Sequence, residues 1–142
     1  MSTSNEESGI RERVESLARA LRAKDVDALM DHYAPDVITF DVQPPLRVVG
    51  VAYRKNFERW FASVEGPIDY EMSDMTVAAG ENVGFCGFLA RVRGGRAAGE
   101  PFDYSVRVTS CFVKRNGEWK VSHEHVSLPV DMTTGRATRG VE

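Results

Sequence analysis

The chain has 142 residues, 42% hydrophobic and 27% charged, the size and balance of one globular domain of ~100–150 residues. Its 18 Lys+Arg against 21 Asp+Glu leave a net charge of −3. No segment concentrates positive charge, which speaks against a nucleic-acid or anionic-membrane footprint, and no apolar run approaches the ~20 residues that span a bilayer. A polar, acidic start without an apolar stretch is not a secretory signal. Two cysteines, Cys86 and Cys111, are too few for a disulfide scaffold or a structural zinc site. The expectation is a cytoplasmic single-domain protein with a core and a pocket, no cofactor and no metal.

Ser4 to Glu7 fits a capping box. Behind it Ile10, Val14, Leu17, Ala18 and Leu21 recur at helical spacing, which predicts a first helix. Asp25 caps a second, shorter helix with Val26, Leu29, Met30 and Tyr33 on its apolar face, and Pro35 should end it. Residues 37–42, rich in β-branched side chains, read as a strand stopped by Pro44-Pro45. A third helix should open near Gly50 and present Tyr53, Phe57, Trp60, Phe61 and Val64 to the core. Gly66-Pro67 punctuates the chain. Four strands then follow, over about 68–77, 82–93, 102–114 and 118–128. Asn116-Gly117 between the last two is a hairpin signal. From Pro129 on, the chain reads as a loose tail, which leaves a core over about residues 8–128.

The layout is α-α-β-α-β-β-β-β. Helices gathered ahead of consecutive antiparallel strands imply an α+β fold, three helices lying on one face of a curved sheet. Apolar residues fall on both parities of the later strands: Val106, Val108 and Phe112 on one, Cys111 and Val113 on the other. A sheet covered on one side only should be polar on the other. The expected explanation is a homodimer that packs sheet against sheet.

In this order the elements resemble the cone-shaped fold of the NTF2-like superfamily, and within it the SnoaL-like and ketosteroid-isomerase-homologue group. The resemblance is carried by residues 24–37, by Phe40-Asp41, by Val49-Gly50 and by residues 116–127, and covers roughly Ile10 to Leu128. It implies a deep pocket between helices and sheet, and usually a dimer. It says little about activity, because one such fold hosts isomerases, cyclases, dehydratases and non-catalytic subunits.

Asp41 is the first candidate for chemistry. The resemblance matches it to the base that moves a proton beside a carbonyl in ketosteroid isomerases. A carboxylate in an apolar pocket is disfavoured as a charge and becomes a stronger base. The plain alternative is an aspartate that caps the strand end. The positions expected to supply oxyanion donors fall near Leu17 and near Thr109 or Cys111. Neither carries the group's residue, and each missing donor costs about 3–4 kcal/mol. Steroid isomerisation is therefore disfavoured.

The last strand offers a second set. Trp119, Val121, His123, His125 and Ser127 alternate onto one face. A two-residue turn would pair Thr109 with Glu124. A three-residue turn would pair Thr109 with His123 and Arg107 with His125, and is preferred because it also matches Val113 with Trp119. Arg107, Thr109, His123, His125 and Ser127 then floor the pocket, with Arg107 and His125 joining Asp41 as catalytic candidates. Tyr53, Phe57 and Trp60 would line it. Against this stands a structural hydrogen-bond network beneath the core. A zinc site on the two histidines would need Asp41 or His32 as a third ligand. The expected partner is a small apolar or carboxylate-bearing ligand.

Three functions follow: proton-transfer chemistry (isomerase, cyclase or dehydratase type) on an apolar carbonyl compound; a non-catalytic small-molecule-binding or dimeric association module; and metal-assisted chemistry at the histidines.

Overall fold

The computed structural model describes residues 3–140, and side chains from residue 5 onward. Helix α1 (Thr3–Arg22) starts before Ser4. Ser4 is therefore inside the helix, and its expected capping side chain lies outside the described residues. The predicted stripe holds: Ile10, Val14, Ala18 and Leu21 are buried. Helix α2 (Val26–Met30) is capped by Asp25, whose carboxylate accepts from the Ala28 N–H at 3.1 Å. It ends before Pro35, which is instead inside the first strand, β1 (Tyr33–Phe40). A short β2 (Val48–Val49) follows, unforeseen in the sequence. The third helical segment begins as a 3₁₀ turn over Gly50–Tyr53 and continues as α3 (Arg54–Ala62). Val64, expected on that helix, opens β3.

The remaining strands are β3 (Val64–Ala79), β4 (Val83–Arg96), β5 (Phe102–Arg115) and β6 (Glu118–Ser127). The six strands form one sheet in the order β2-β1-β6-β5-β4-β3. It is mixed rather than wholly antiparallel: β1 runs parallel to β6, and every other pair is antiparallel. That parallel pairing returns the chain from the helical half to the far edge of the hairpin sheet. Gly66-Pro67 does not end an element. It sits at one of two register shifts in β3, the other lying between Ser73 and Thr76. Such bulges bend a strand, and the bends curl the sheet around α1 and α3. The helix seats closely: a Cβ on Gly84 would stand 2.5 Å from Ile10 Cδ1.

The concave face buries Tyr33, Val37, Tyr70, Phe88, Val106, Val108, Phe112 and Val121 against Phe57, Phe61 and the α1 stripe. At the other end, Glu6 is buried beside Lys114 at 2.8 Å, and the Lys114 ammonium lies 5.3 Å from the Trp119 ring centroid. After Pro129, where a loose tail was expected, Val130–Asp131 and Arg136–Ala137 form a small hairpin (β7 and β8). The Ser105 N–H then donates to the Arg139 carbonyl at 2.7 Å. This bond extends the β5 edge beyond the last β6 pair, Arg107 with Ser127.

Candidate functional site

A cavity of about 360 Å³ opens between α3 and the concave face of the sheet, within the usual range for small-molecule pockets. Its helical wall carries Tyr53, Asn56, Phe57, Arg59 and Trp60, the spacing of one helix face. The sheet supplies Tyr70, Val92, Tyr104, Val106, Val108 and, from β6, Glu124 and Val126. Leu21 contributes from the end of α1, and Asp41 to Gln43 form one side of the mouth. Of the sequence-predicted residues, Asp41, Tyr53, Phe57 and Trp60 line this cavity.

His123, His125, Arg107, Thr109 and Ser127 do not. The hairpin turn is the two-residue form: Arg115 pairs with Glu118, and Asn116 and Gly117 both have positive φ. The three-residue turn is thereby overturned, but the two-residue register also fails beyond Phe112. A bulge at Ser122 inserts one residue, so Cys111 pairs with His123, Thr109 with His125 and Arg107 with Ser127. Trp119 and Val121 face inward as expected. After the bulge the inward residues are Glu124 and Val126, and the histidines turn to the convex face. There the His123 Nδ1–H donates to the Ile38 carbonyl at 2.8 Å. The Phe40 ring meets both imidazoles edge-on, at 4.8 and 5.4 Å between centroids. Arg107 is exposed, and its Nε donates to Ser127 Oγ at 3.1 Å. His32 lies elsewhere, its Nδ1 3.0 Å from Arg13 Nη1. Among the described residues no three His, Cys, Asp or Glu side chains converge as metal ligands would.

The residue the sequence reading missed is Glu124. It is buried in the cavity wall, and its Oε2 accepts from the Tyr33 hydroxyl at 2.6 Å. Its Oε1 has no partner among the described residues. Burial pushes its carboxyl up to about 7. The Tyr33 bond works against that shift, and the nearby Asp41 charge adds to it. Tyr33 in turn is buried, and its own pKa is raised by burial and by the Glu124 charge.

Asp41 follows the last residue of β1, half-buried at the rim. Its Oδ1 accepts from the Val42 N–H at 2.8 Å and its Oδ2 from Asn56 Nδ2 at 3.3 Å. Both readings of Asp41 are thus geometrically present, strand-end cap and pocket carboxylate. Asn56, itself buried, accepts from Arg59 Nη2 at 2.9 Å.

Three phenols complete the wall. Tyr53, Tyr70 and Tyr104 line the cavity, and unlike the Tyr33 hydroxyl theirs enter none of the side-chain hydrogen bonds found among the described residues. All three pKa values are raised, first by burial, then by the charge of Glu124 (for Tyr53 and Tyr70) or of Asp41 (for Tyr104). These phenols therefore hold their protons and act as donors. The cysteines are apart from this set: Cys86 is a buried thiol pushed up to about 12 by burial, and Cys111 is a half-buried free thiol.

A bent six-stranded sheet wrapped on helices around an internal cavity defines an α+β protein of the NTF2-like class. The sequence profile of the SnoaL-like domain matches residues 10–131, and the chain belongs to that family. An NTF2-like protein of unknown function from Pseudomonas putida KT2440 is similar over 100% of this chain and 99% of its own, with 29% identity and a TM-score of 0.89. A ketosteroid isomerase-like protein from Erwinia carotovora atroseptica shares 17% identity over 86% of this chain and 95% of its own, TM-score 0.74. The association domain of C. elegans CaMKII shares 15% identity over 88% and 97%, TM-score 0.70. The last two likenesses show the fold alone. No curated protein matches the chain. No described helix is long and apolar enough to cross a membrane.

Proposed function

We propose that the cavity is a proton-transfer site for a small, largely apolar carbonyl compound. The observation that carries this reading is Glu124: a buried carboxyl raised to about 7, anchored by Tyr33 through one oxygen and presenting the other to an aromatic cavity. A group poised near neutrality serves as base and as acid in one cycle. Glu124 Oε1 takes a proton from the carbon next to the carbonyl. The C–H electron pair forms a carbon–carbon double bond as the carbonyl π pair moves onto oxygen, where a Tyr53 or Tyr70 hydroxyl donates a hydrogen bond to the developing oxyanion. The proton then returns to the same carbon or to a conjugated one, or passes from Glu124 to a β-hydroxyl, which departs as water while the carbonyl re-forms. These outcomes are exchange, isomerisation and elimination. Asp41 at the rim is the second carboxylate able to carry a proton. The phenols supply the donors whose sequence positions looked empty at Leu17, Thr109 and Cys111.

The test uses 2-tetralone and 2-acetonaphthone in D₂O, with deuterium uptake followed by mass spectrometry. Wild-type protein should accelerate uptake into at least one ketone, and Glu124→Gln should lower the rate by about 10²-fold or more. Wild-type rates no faster than those of the Gln variant on both ketones would overturn the assignment.

The same reading extends to a cytoplasmic homodimer joined through the convex face, where Val83, Phe85 and Leu89 stand exposed beside Thr109 and His123. An apolar strip on a sheet face is covered most simply by a second copy of itself. Native mass should read two chains, and Phe85→Ser with Leu89→Ser should give one. A wild-type monomer at micromolar concentration would remove this proposal.

A further inference from the structure

Among the described residues the cavity lining holds one cation, Arg59, and no described carboxylate pairs with it. Arg54, on the same helix, is tied to Asp27 and Glu58, and Arg91, Arg93 and Arg115 each hold an acidic side chain. Arg59 instead donates a single bond, from Nη2 to Asn56 Oδ1. Asn56 is 6% exposed and is oriented by its neighbours. Arg59 can only donate, so the amide oxygen faces the guanidinium and the amide nitrogen faces Asp41. Arg59 is exposed, but this bond to a buried side chain ties its guanidinium to the rim of the cavity. A guanidinium has five N–H donors in a fixed fork, and the single bond to Asn56 leaves the others available to a ligand at the cavity mouth or to water. Beside them Trp60 and Tyr104 supply an aromatic surface.

We infer that Arg59 is the specificity residue of the cavity and that its ligand carries a carboxylate: an aromatic or alicyclic keto acid, with the acid on Arg59 and the reacting carbonyl at Glu124 and the phenols. This rests on the proton-transfer reading for the position of the carbonyl, but its own basis is Arg59 and Asn56. The fork matches a carboxylate with two parallel hydrogen bonds. Burial keeps Glu124 from adding a full negative charge near neutral pH, which lessens repulsion of an anionic ligand. Arg107, the arginine expected on the pocket floor, is exposed on the opposite face of the sheet and does not compete for this role.

The experiment is calorimetric titration of the full chain near pH 6 with two probes of matched shape, 2-naphthoate and the neutral 2-acetonaphthone. Wild-type protein should bind naphthoate about tenfold or more tighter than the ketone. Arg59→Gln and Arg59→Met should abolish that preference, and Arg59→Lys should keep part of it, because the charge remains and the fork is lost. Circular dichroism and the melting temperature confirm that the variants fold; Arg59 is exposed, so folding should be kept. A wild-type protein without preference for naphthoate, or Gln and Met variants that retain it, would overturn the inference. Its failure is separable from that of the proton-transfer reading. The ratio of the two affinities judges Arg59, whereas deuterium exchange in Glu124→Gln judges Glu124 regardless of how naphthoate binds.

Discussion

The two faces of strand β6 carry the same kinds of residue and have opposite fates. On the concave side Glu124 stands in an aromatic cavity, one oxygen held by Tyr33 and its carboxyl raised to about 7. On the convex side His123 and His125, the side chains more often associated with acid–base work at neutral pH, flank Phe40, and His125 is exposed. One inserted residue, Ser122, separates these outcomes. Residue type names a capacity for proton transfer, but only position relative to a low-dielectric cavity converts it into a tuned group.

The sharpest way to break this contrast is a pair of substitutions tested in the same exchange assay. If the proposed site is right, Glu124→Gln should lower turnover by about 10²-fold or more, while His125→Ala should leave it within about twofold, since His125 is exposed and does not line the cavity that holds Glu124. A large loss in the histidine variant, with Glu124→Gln active, would reverse the assignment of the two faces.

A smaller effect is expected in stability. The folded protein holds the Glu124 proton more tightly than the unfolded chain, with a midpoint near 7 against an ordinary 4.5. Its contribution is therefore full below pH 4.5 and is lost as pH rises through 7. Above that pH the Gln variant should be more stable than wild type, by up to about 3 kcal/mol. Its urea-derived stability should change less steeply between pH 4.5 and 7 than that of wild type. A parallel pair of pH profiles would show that Glu124 titrates like an exposed carboxyl.

The smallest expected effect is at the bulge. Deletion of Ser122 should cost about 1 kcal/mol and leave exchange activity in place. Val121, His123 and Glu124 would then alternate regularly, in register with Phe112, Cys111 and Ser110, without the extra residue. Loss of the cavity in that variant would show that the bulge itself holds Glu124 inward.

Much of the fold was legible in the order of residues. The α1 stripe, the aromatic face of α3, the Asn116-Gly117 turn and the span of four long strands are local patterns, set by periodicity and turn chemistry. So was the aromatic wall of the cavity, because Tyr53, Phe57 and Trp60 share a helix face. The facing of the second half of β6 was not legible. His123, Glu124 and His125 alternate whichever way they start, and the register that selects between them comes from pairing with β5 and β1. The parallel pairing of β1 with β6, the meeting of Tyr70 and Tyr104 with α3 around one cavity, and the Asp41–Asn56 hydrogen bond likewise join residues distant in sequence. The sequence alone determined the long helices and the four long strands, and which side chains can carry protons. The tertiary structure decided which of those side chains lose water. That loss, which makes an ordinary glutamate titrate near neutrality, depends on what the rest of the molecule packs around it.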